Sequence, residues 1–92
     1  AAKPADARAQ NLLGVVCAQL GRRDCARAAF TASLAADPRN PSTYVNVGLL
    51  SLDGGDPESA LRYFSEALTM DPRSAAARTG LTQARARLEN PH

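Results

Sequence analysis

The sequence predicts an all-α fold, an α-α superhelix of five helices, on three observations. The first is an internal repeat: Asp37-Pro38-Arg39 returns as Asp71-Pro72-Arg73, and sliding residues 7–40 onto 41–74 without a gap pairs eight identical residues. Besides that tripeptide they are Gly14 with Gly48, Gly21 with Gly55, Ala26 with Ala60, Phe30 with Phe64 and Leu34 with Leu68. These are the turn, small and large apolar positions that a packing unit must keep, and a period of about 34 residues marks paired-helix repeats. The second is composition: 45% of residues are hydrophobic but only 4% aromatic, and much of the apolar share is Ala, which suits helices whose backbones approach closely. The third is the spacing of Asp6, Asn40 and Ser74, each 34 residues after the last. Each can accept from the free N–H groups of a first helical turn.

Taken in order, residues 1–6 form a lead-in without periodicity, and Ala1 to Ala5 are expected to fray. The first helix runs from Ala7 to Leu20, with Leu13, Val16, Cys17 and Leu20 at helical spacing, and stops at Gly21, which can take the left-handed conformation. Gly21-Arg22-Arg23 makes a tight turn. Asp24 begins the second helix, whose Ala26, Phe30, Ser33 and Leu34 form one face packed back on the first helix. It ends at Asp37, because Pro38 disfavours helical geometry in the residue before it. The third helix spans Pro41 to Asp53, with Pro41 at a first position where its missing N–H costs nothing. After a Gly54-Gly55 turn, Asp56 caps a fourth helix that opens with Pro57 and Glu58 and carries Ala60, Leu61, Phe64, Ala67 and Leu68 inward. The fifth runs from about Ala75 to Glu89, with Leu81 and Leu88 on one side and Arg78, Arg85 and Arg87 elsewhere. Asn90-Pro91 ends it. The expected organisation is one domain: units at 7–40 and 41–74, a capping helix at 75–89 and a tail at 90–92.

With 92 residues there is room for one small domain, which buries roughly 60% of its unfolded surface. Eleven Lys and Arg against nine Asp and Glu leave a formal charge of +2, too weak a field to hold a nucleic-acid backbone or an acidic membrane surface. No apolar run approaches the roughly 20 residues that cross a bilayer, and the start lacks a signal-peptide pattern. The chain does not begin with Met, which fits a processed product or an excised part of a longer protein. Localisation stays open between the cytoplasm and, if a signal has been removed, the periplasm.

Cys17 and Cys25 are too few for a disulfide framework and lack metal-ligand spacing, and His92 is terminal, so no metal site is expected. A helix that turns back near Gly21 would put the two thiols on facing helices, where a bridge is conceivable. Free thiols are the expectation, in keeping with Cys as a small buried hydrophobe. Neither cysteine has a base near it in sequence, and no carboxylate pair shares a helical face as an acid/base couple would need. Asp53 and Asp56 sit at helix ends, where capping is their expected work. Nothing resembles a phosphate loop, so neither enzymatic activity nor a cofactor is expected.

These residues resemble the tetratricopeptide repeat family, whose unit is a pair of antiparallel helices. The family keeps a Leu-Gly pair in its first helix, an Ala and an aromatic in the second and a Pro after it. Here those are Leu13-Gly14, Ala26, Phe30 and Pro38, then Val47-Gly48, Ala60, Phe64 and Pro72. Tyr44-Val45-Asn46-Val47-Gly48 is similar to the family's aromatic, Asn, Leu and Gly run. Departures are Gln10 at an aromatic position, Cys17 and Ser51 at a frequent Tyr, and Arg27 where an apolar residue is common. The resemblance implies a right-handed superhelix of two repeats and a cap. Gly14 and Gly48 would leave room for Ala26 and Ala60 of the paired helices, and Phe30 and Phe64 would fill the gap between units.

The resemblance also implies a concave groove lined by the first helix of each unit. Its expected lining is Arg8, Asn11, Val15, Ala18 and Gln19, then Val45, Asn46, Leu49, Leu52 and Asp53, then Thr79, Gln83 and Arg87. Spacing points the same way. Tyr44, Val47, Gly48 and Ser51 already supply a core face on the third helix, yet Val45, Leu49 and Leu52 make a second stripe, which a helix packed on one side does not need. That surplus stripe is the candidate binding surface, with burial under a neighbouring helix as its alternative. Asn46 could donate to a bound peptide backbone or bond a neighbouring helix. A terminal-carboxylate clamp of the kind some relatives carry is not expected, since only Asn46 fits it and Val15, Ala76 and Gly80 stand where charged or amide side chains belong.

The leading expectation is a non-enzymatic module that binds a peptide or helix of another protein. The alternative is a self-associating or structural segment of a longer array, a homo-oligomer among its forms, using the same Val45, Leu49 and Leu52 stripe and the Val16 side as a contact with another copy or with further repeats. An RNA-binding helical repeat comes last, because the predicted groove is mixed in charge.

Overall fold

Each helix of this chain is bounded by residues that act locally. The structure, a computed structural model, describes residues 6–90, in which five helices follow one another: α1 (Ala7–Gln19), α2 (Arg23–Ala36), α3 (Pro41–Asp53), α4 (Pro57–Met70) and α5 (Ala75–Glu89). The expected fraying of Ala1 to Ala5, and Pro91 and His92, lie outside the described residues. Asp6 accepts from the Arg8 N–H at 2.9 Å, Asn40 from that of Ser42 at 3.0 Å, and the Ser74 hydroxyl from that of Ala77 at 3.1 Å. Such caps contribute about 1 kcal/mol each. Only α2 starts without one: it begins at Arg23, one residue before the expected Asp24, and no side chain caps it. Asp24 sits instead in the first turn, where its charge favours the helix dipole.

The two hairpin turns are alike. Gly21 and Gly55 have φ of 76° and 81°, left-handed values that cost glycine least. Past them Arg22 N–H donates to Cys17 O at 2.9 Å and Asp56 N–H to Ser51 O at 2.8 Å, closing both helix ends. α1 therefore packs on α2, and α3 on α4, while α5 closes on α4. The helices α1, α3 and α5 touch in succession, and α2 and α4 sit in the gaps behind them. The result is a slab of 50 × 29 × 16 Å.

One apolar cluster joins the first hairpin to α3 through Cys17, Ala26, Phe30 and Leu50. The other joins α3, α4 and α5 through Val45, Leu52, Ala60, Phe64, Ala67, Ala77 and Ala84. The glycines of these helices make room for the aromatic rings, not for Ala26 and Ala60 as the sequence suggests. A β-carbon on Gly48 would lie 2.6 Å from Phe64 Cε1, one on Gly80 would overlap the same ring, and one on Gly14 would overlap Phe30. Phe64 is held between Gly48 and Gly80, which lets three helices close on one large side chain.

Two expectations for the outer helices are corrected. Of the apolar residues spaced along α1, only Cys17 is buried; Leu13, Val16 and Leu20 stay open, because among the described residues no helix packs on that side. On α5, Leu81 is half-buried against the core while Leu88 is exposed, and the inward face is made of Ala77, Gly80 and Ala84.

The expectation of free thiols is also corrected, since Cys17 and Cys25 are joined as a disulfide. The Gly21 turn sets α1 and α2 antiparallel and brings the two Cα atoms to 5.7 Å, within the span a disulfide bridges.

Candidate partner-binding groove

The side-by-side contact of α1 and α3 leaves a concavity of about 300 Å³ between them. Val15, Ala18 and Gln19 line it from α1, and Asn46, Leu49, Leu50 and Asp53 from α3, with Phe30 beneath. Helical spacing explains the grouping, since 15, 18 and 19 share one face of α1, as 46, 49, 50 and 53 do on α3. The floor is apolar and the rim polar. That distribution suits a small site which buries an apolar side chain and orients it with a few polar groups.

At one end, Asn46 Nδ2 donates to Asn11 Oδ1 at 2.9 Å, and both residues are half-buried. The pair spends one donor and one acceptor, leaving the Asn46 oxygen and the Asn11 amide hydrogens free to pair. A backbone peptide group needs one of each. At the other end Arg23 donates through Nη2 to the Asp53 carbonyl at 2.7 Å and to its carboxylate at 3.2 Å. This pair is largely exposed, so its worth lies in fixing the Asp53 side chain and covering a free carbonyl at the end of α3, not in Coulomb energy.

The expected stripe on α3 divides. Leu49 is 46% exposed, but Val45 and Leu52 are 8% and 4% exposed and belong to the core with Ala60 and Phe64. They offer nothing to a partner. The cause is α5, which lies on that side of α3 and donates from Arg87 Nη1 to the Leu52 carbonyl at 2.7 Å. Arg87 is thereby occupied. Gln83 and Thr79 are exposed on α5, away from the residues that line the concavity, and Arg8 is exposed near the start of α1. Of the expected lining, Val15, Ala18, Gln19, Asn46, Leu49 and Asp53 are brought together, with Asn11 bonded to Asn46.

Sequence reasoning misses Leu50 and Phe30 as the floor and Arg23 as the anchor of Asp53. The first two are visible only once the hairpin folds back, and the third joins residues 30 apart with no local pattern. Among the described residues no group of three or more His, Cys, Asp or Glu could hold a metal ion, and no helix is long and apolar enough to cross a membrane.

No curated protein matches the chain. The family model for the tetratricopeptide repeat matches residues 1–41 and 48–91, covering the first hairpin, the second except for the first half of α3, and α5. Repeats of this class serve generally as non-catalytic protein–protein interaction modules. With its two glycine-closed hairpins, its aromatic rings seated on Gly14 and Gly48 and a family match over most of its length, the chain belongs to the tetratricopeptide repeat family.

Proposed function

We propose that this chain is a non-enzymatic interaction module that takes a short segment of a partner protein in the concavity between α1 and α3. The observation that carries this is the joint presence there of an exposed apolar residue, Leu49, and an amide pair, Asn11 and Asn46, with unspent donor and acceptor capacity. Val15, Ala18 and Leu49 would hold one apolar side chain of the segment, and the amides would pair with a peptide group beside it. Gln19 and Asp53 border the same floor. The site is small. Binding of one anchor residue and one peptide group is weak by itself, so a micromolar to millimolar dissociation constant is expected.

The reading is tested by selecting displayed peptides on the native chain and comparing their binding to Leu49→Glu, whose site is half open and whose fold should survive. Selected peptides should shift the amide resonances of Val15, Asn46 and Leu49 and lose at least tenfold in affinity for the variant. Equal binding to both proteins would sink the proposal.

A further inference from the structure

The two ends of the stack differ. At its C-terminal end, the positions by which α3 receives α4, namely Tyr44, Gly48 and Ser51, have as their counterparts in α5, 34 residues on, Arg78, Thr82 and Arg85. All three are exposed, and Arg78 and Thr82 bond carbonyls of their own turn and helix. A bulky or charged side chain at each of these positions refuses a sixth helix and solvates the end, as a terminal repeat requires. Among the described residues the N-terminal end has no such device. Leu12, Leu13, Val16 and Leu20 stand open on α1 at 64%, 47%, 43% and 67% exposure, and between residues 9 and 21 the chain carries no charge at all.

The internal repeat shows what such a face receives. Leu13 and Val16 correspond, at the same spacing of 34, to Val47 and Leu50. In α3 those two residues pack against the cluster of Phe30 and Ala26 on α2, the second helix of the hairpin before. The small-residue contact repeats too: Ser33 of α2 meets Thr43 of α3, Ala67 and Ala77 hold the corresponding places at the next junction, both fully buried, and Ala9 is the exposed residue of α1 at that position.

From this continuity we infer that the open face of α1 seats the second helix of one further hairpin, carried before Asp6 on the same polypeptide. Residues 6–90 are then the closed, C-terminal end of a longer stack. The expected contact helix carries an aromatic residue flanked by Ala or Ser, as α2 does with Ala29, Phe30 and Ser33. A tethered helix is favoured over a second copy by size and by shape. The four side chains expose an area on the order of a few hundred Å², short of the roughly 800 Å² per partner of a stable interface between separate proteins. A second copy has no free helix of the required kind to offer, since α2 is covered by α3 and α4 by α5. A tether supplies the high local concentration that so small a contact needs. The inference is independent of the groove between α1 and α3.

The test uses the chain and the same chain with a duplicate of residues 7–40 placed directly before Ala7, which keeps the 34-residue register and supplies a copy of α2. Thermal unfolding of both is measured with and without Val16→Glu, and sedimentation equilibrium gives the oligomeric state. The duplicate should raise the midpoint by about 5 °C or more. Val16→Glu should move the original chain by less than about 2 °C but lower the extended chain by about 5 °C or more. Equal small shifts in both chains overturn the inference. So does an original chain that dimerises and becomes monomeric with Val16→Glu, since a second copy would then own the face.

Discussion

Ser33 Oγ and Thr43 Oγ1 lie 3.1 Å apart, both residues fully buried, where α2 of the first hairpin meets α3 of the second. Ser33 also donates to the Ala7 carbonyl at 2.7 Å. Its one hydrogen is then spent, so Thr43 is the donor between the two hydroxyls. The chain of bonds ties the start of α1 to the junction between units. Ser33→Ala should therefore cost about 1 to 3 kcal/mol, because it strands the Thr43 hydroxyl in a buried place. Adding Thr43→Val should restore part of that loss, since the equivalent junction is built from Ala67 and Ala77 with no polar group. Chemical denaturation of the two single variants and the double one measures the coupling, which additive costs would refute.

Phe64 supplies a steric prediction. Gly48→Ala would set a methyl group 2.6 Å from its ring, and Gly80 on the opposite side leaves the ring no room to retreat. Overpacking of this kind costs about 1 to 3 kcal/mol, against a helix-propensity gain of about 1 kcal/mol. A net loss is expected at both Gly48 and Gly80. Gly54→Ala is the control, since its nearest neighbour would be 3.4 Å away. Its unfolding midpoint should match that of the native chain.

The Cys17–Cys25 bond closes a short loop of sequence separation 8. By the chain-entropy account such a loop contributes about 2 to 3 kcal/mol through the unfolded state. Reductant should lower the melting temperature of the native chain and leave that of Cys17→Ala/Cys25→Ala unchanged. An equal response of the two proteins would mean that the thiols are unpaired in solution.

Helix ends were readable from the sequence because caps, glycines and prolines act on their own neighbours. Asn40-Pro41, Asp56-Pro57 and Asp71-Pro72 mark boundaries whatever lies elsewhere: α3 and α4 begin, and α4 ends, where those residues place them. Which face of a helix is buried depends on its neighbours, and there the sequence misled in two opposite directions. On α3 a second apolar stripe suggested a free surface, but a helix touched by α1, α2, α4 and α5 has little surface left, and Val45 and Leu52 go to the core. On α1, Leu13 and Val16 have the spacing of core residues and no helix to meet. Val15, Asn46 and Leu49 line the gap between α1 and α3, where no described helix lies.

Asp56 connects stability to pH. The Ser59 hydroxyl and then the Ser59 N–H favour its ionised form, with Arg62 and Arg27 adding attraction, and together they hold its carboxyl below the ordinary value. The folded pKa is depressed, so the cap's contribution is fully present above the unfolded value near 4 and is lost as pH falls through the folded one. Asp56→Asn keeps an oxygen for the Ser59 N–H but does not titrate. Its stability should fall less steeply than that of the native chain below about pH 4. Parallel curves in that window would show that Asp56 contributes no proton linkage.

The division of the α3 stripe gives the sharpest contrast between surface and core. Leu52 is 4% exposed against Ala60, Phe64 and Ala84, and truncating a buried leucine to alanine costs about 2 to 5 kcal/mol. Leu49, three residues earlier, is nearly half open, so Leu49→Ala should cost less than about 1 kcal/mol. The two variants remove the same atoms, which makes their difference a measure of environment alone. Urea titration followed by circular dichroism should separate their midpoints clearly, with no change in slope for Leu49→Ala. Peptide binding should order them the other way: Leu49→Ala, fully folded, weakens it, while Leu52→Ala binds in proportion to its folded fraction. A Leu49→Ala chain that unfolds like Leu52→Ala would place Leu49 in the core and leave the groove without its apolar anchor.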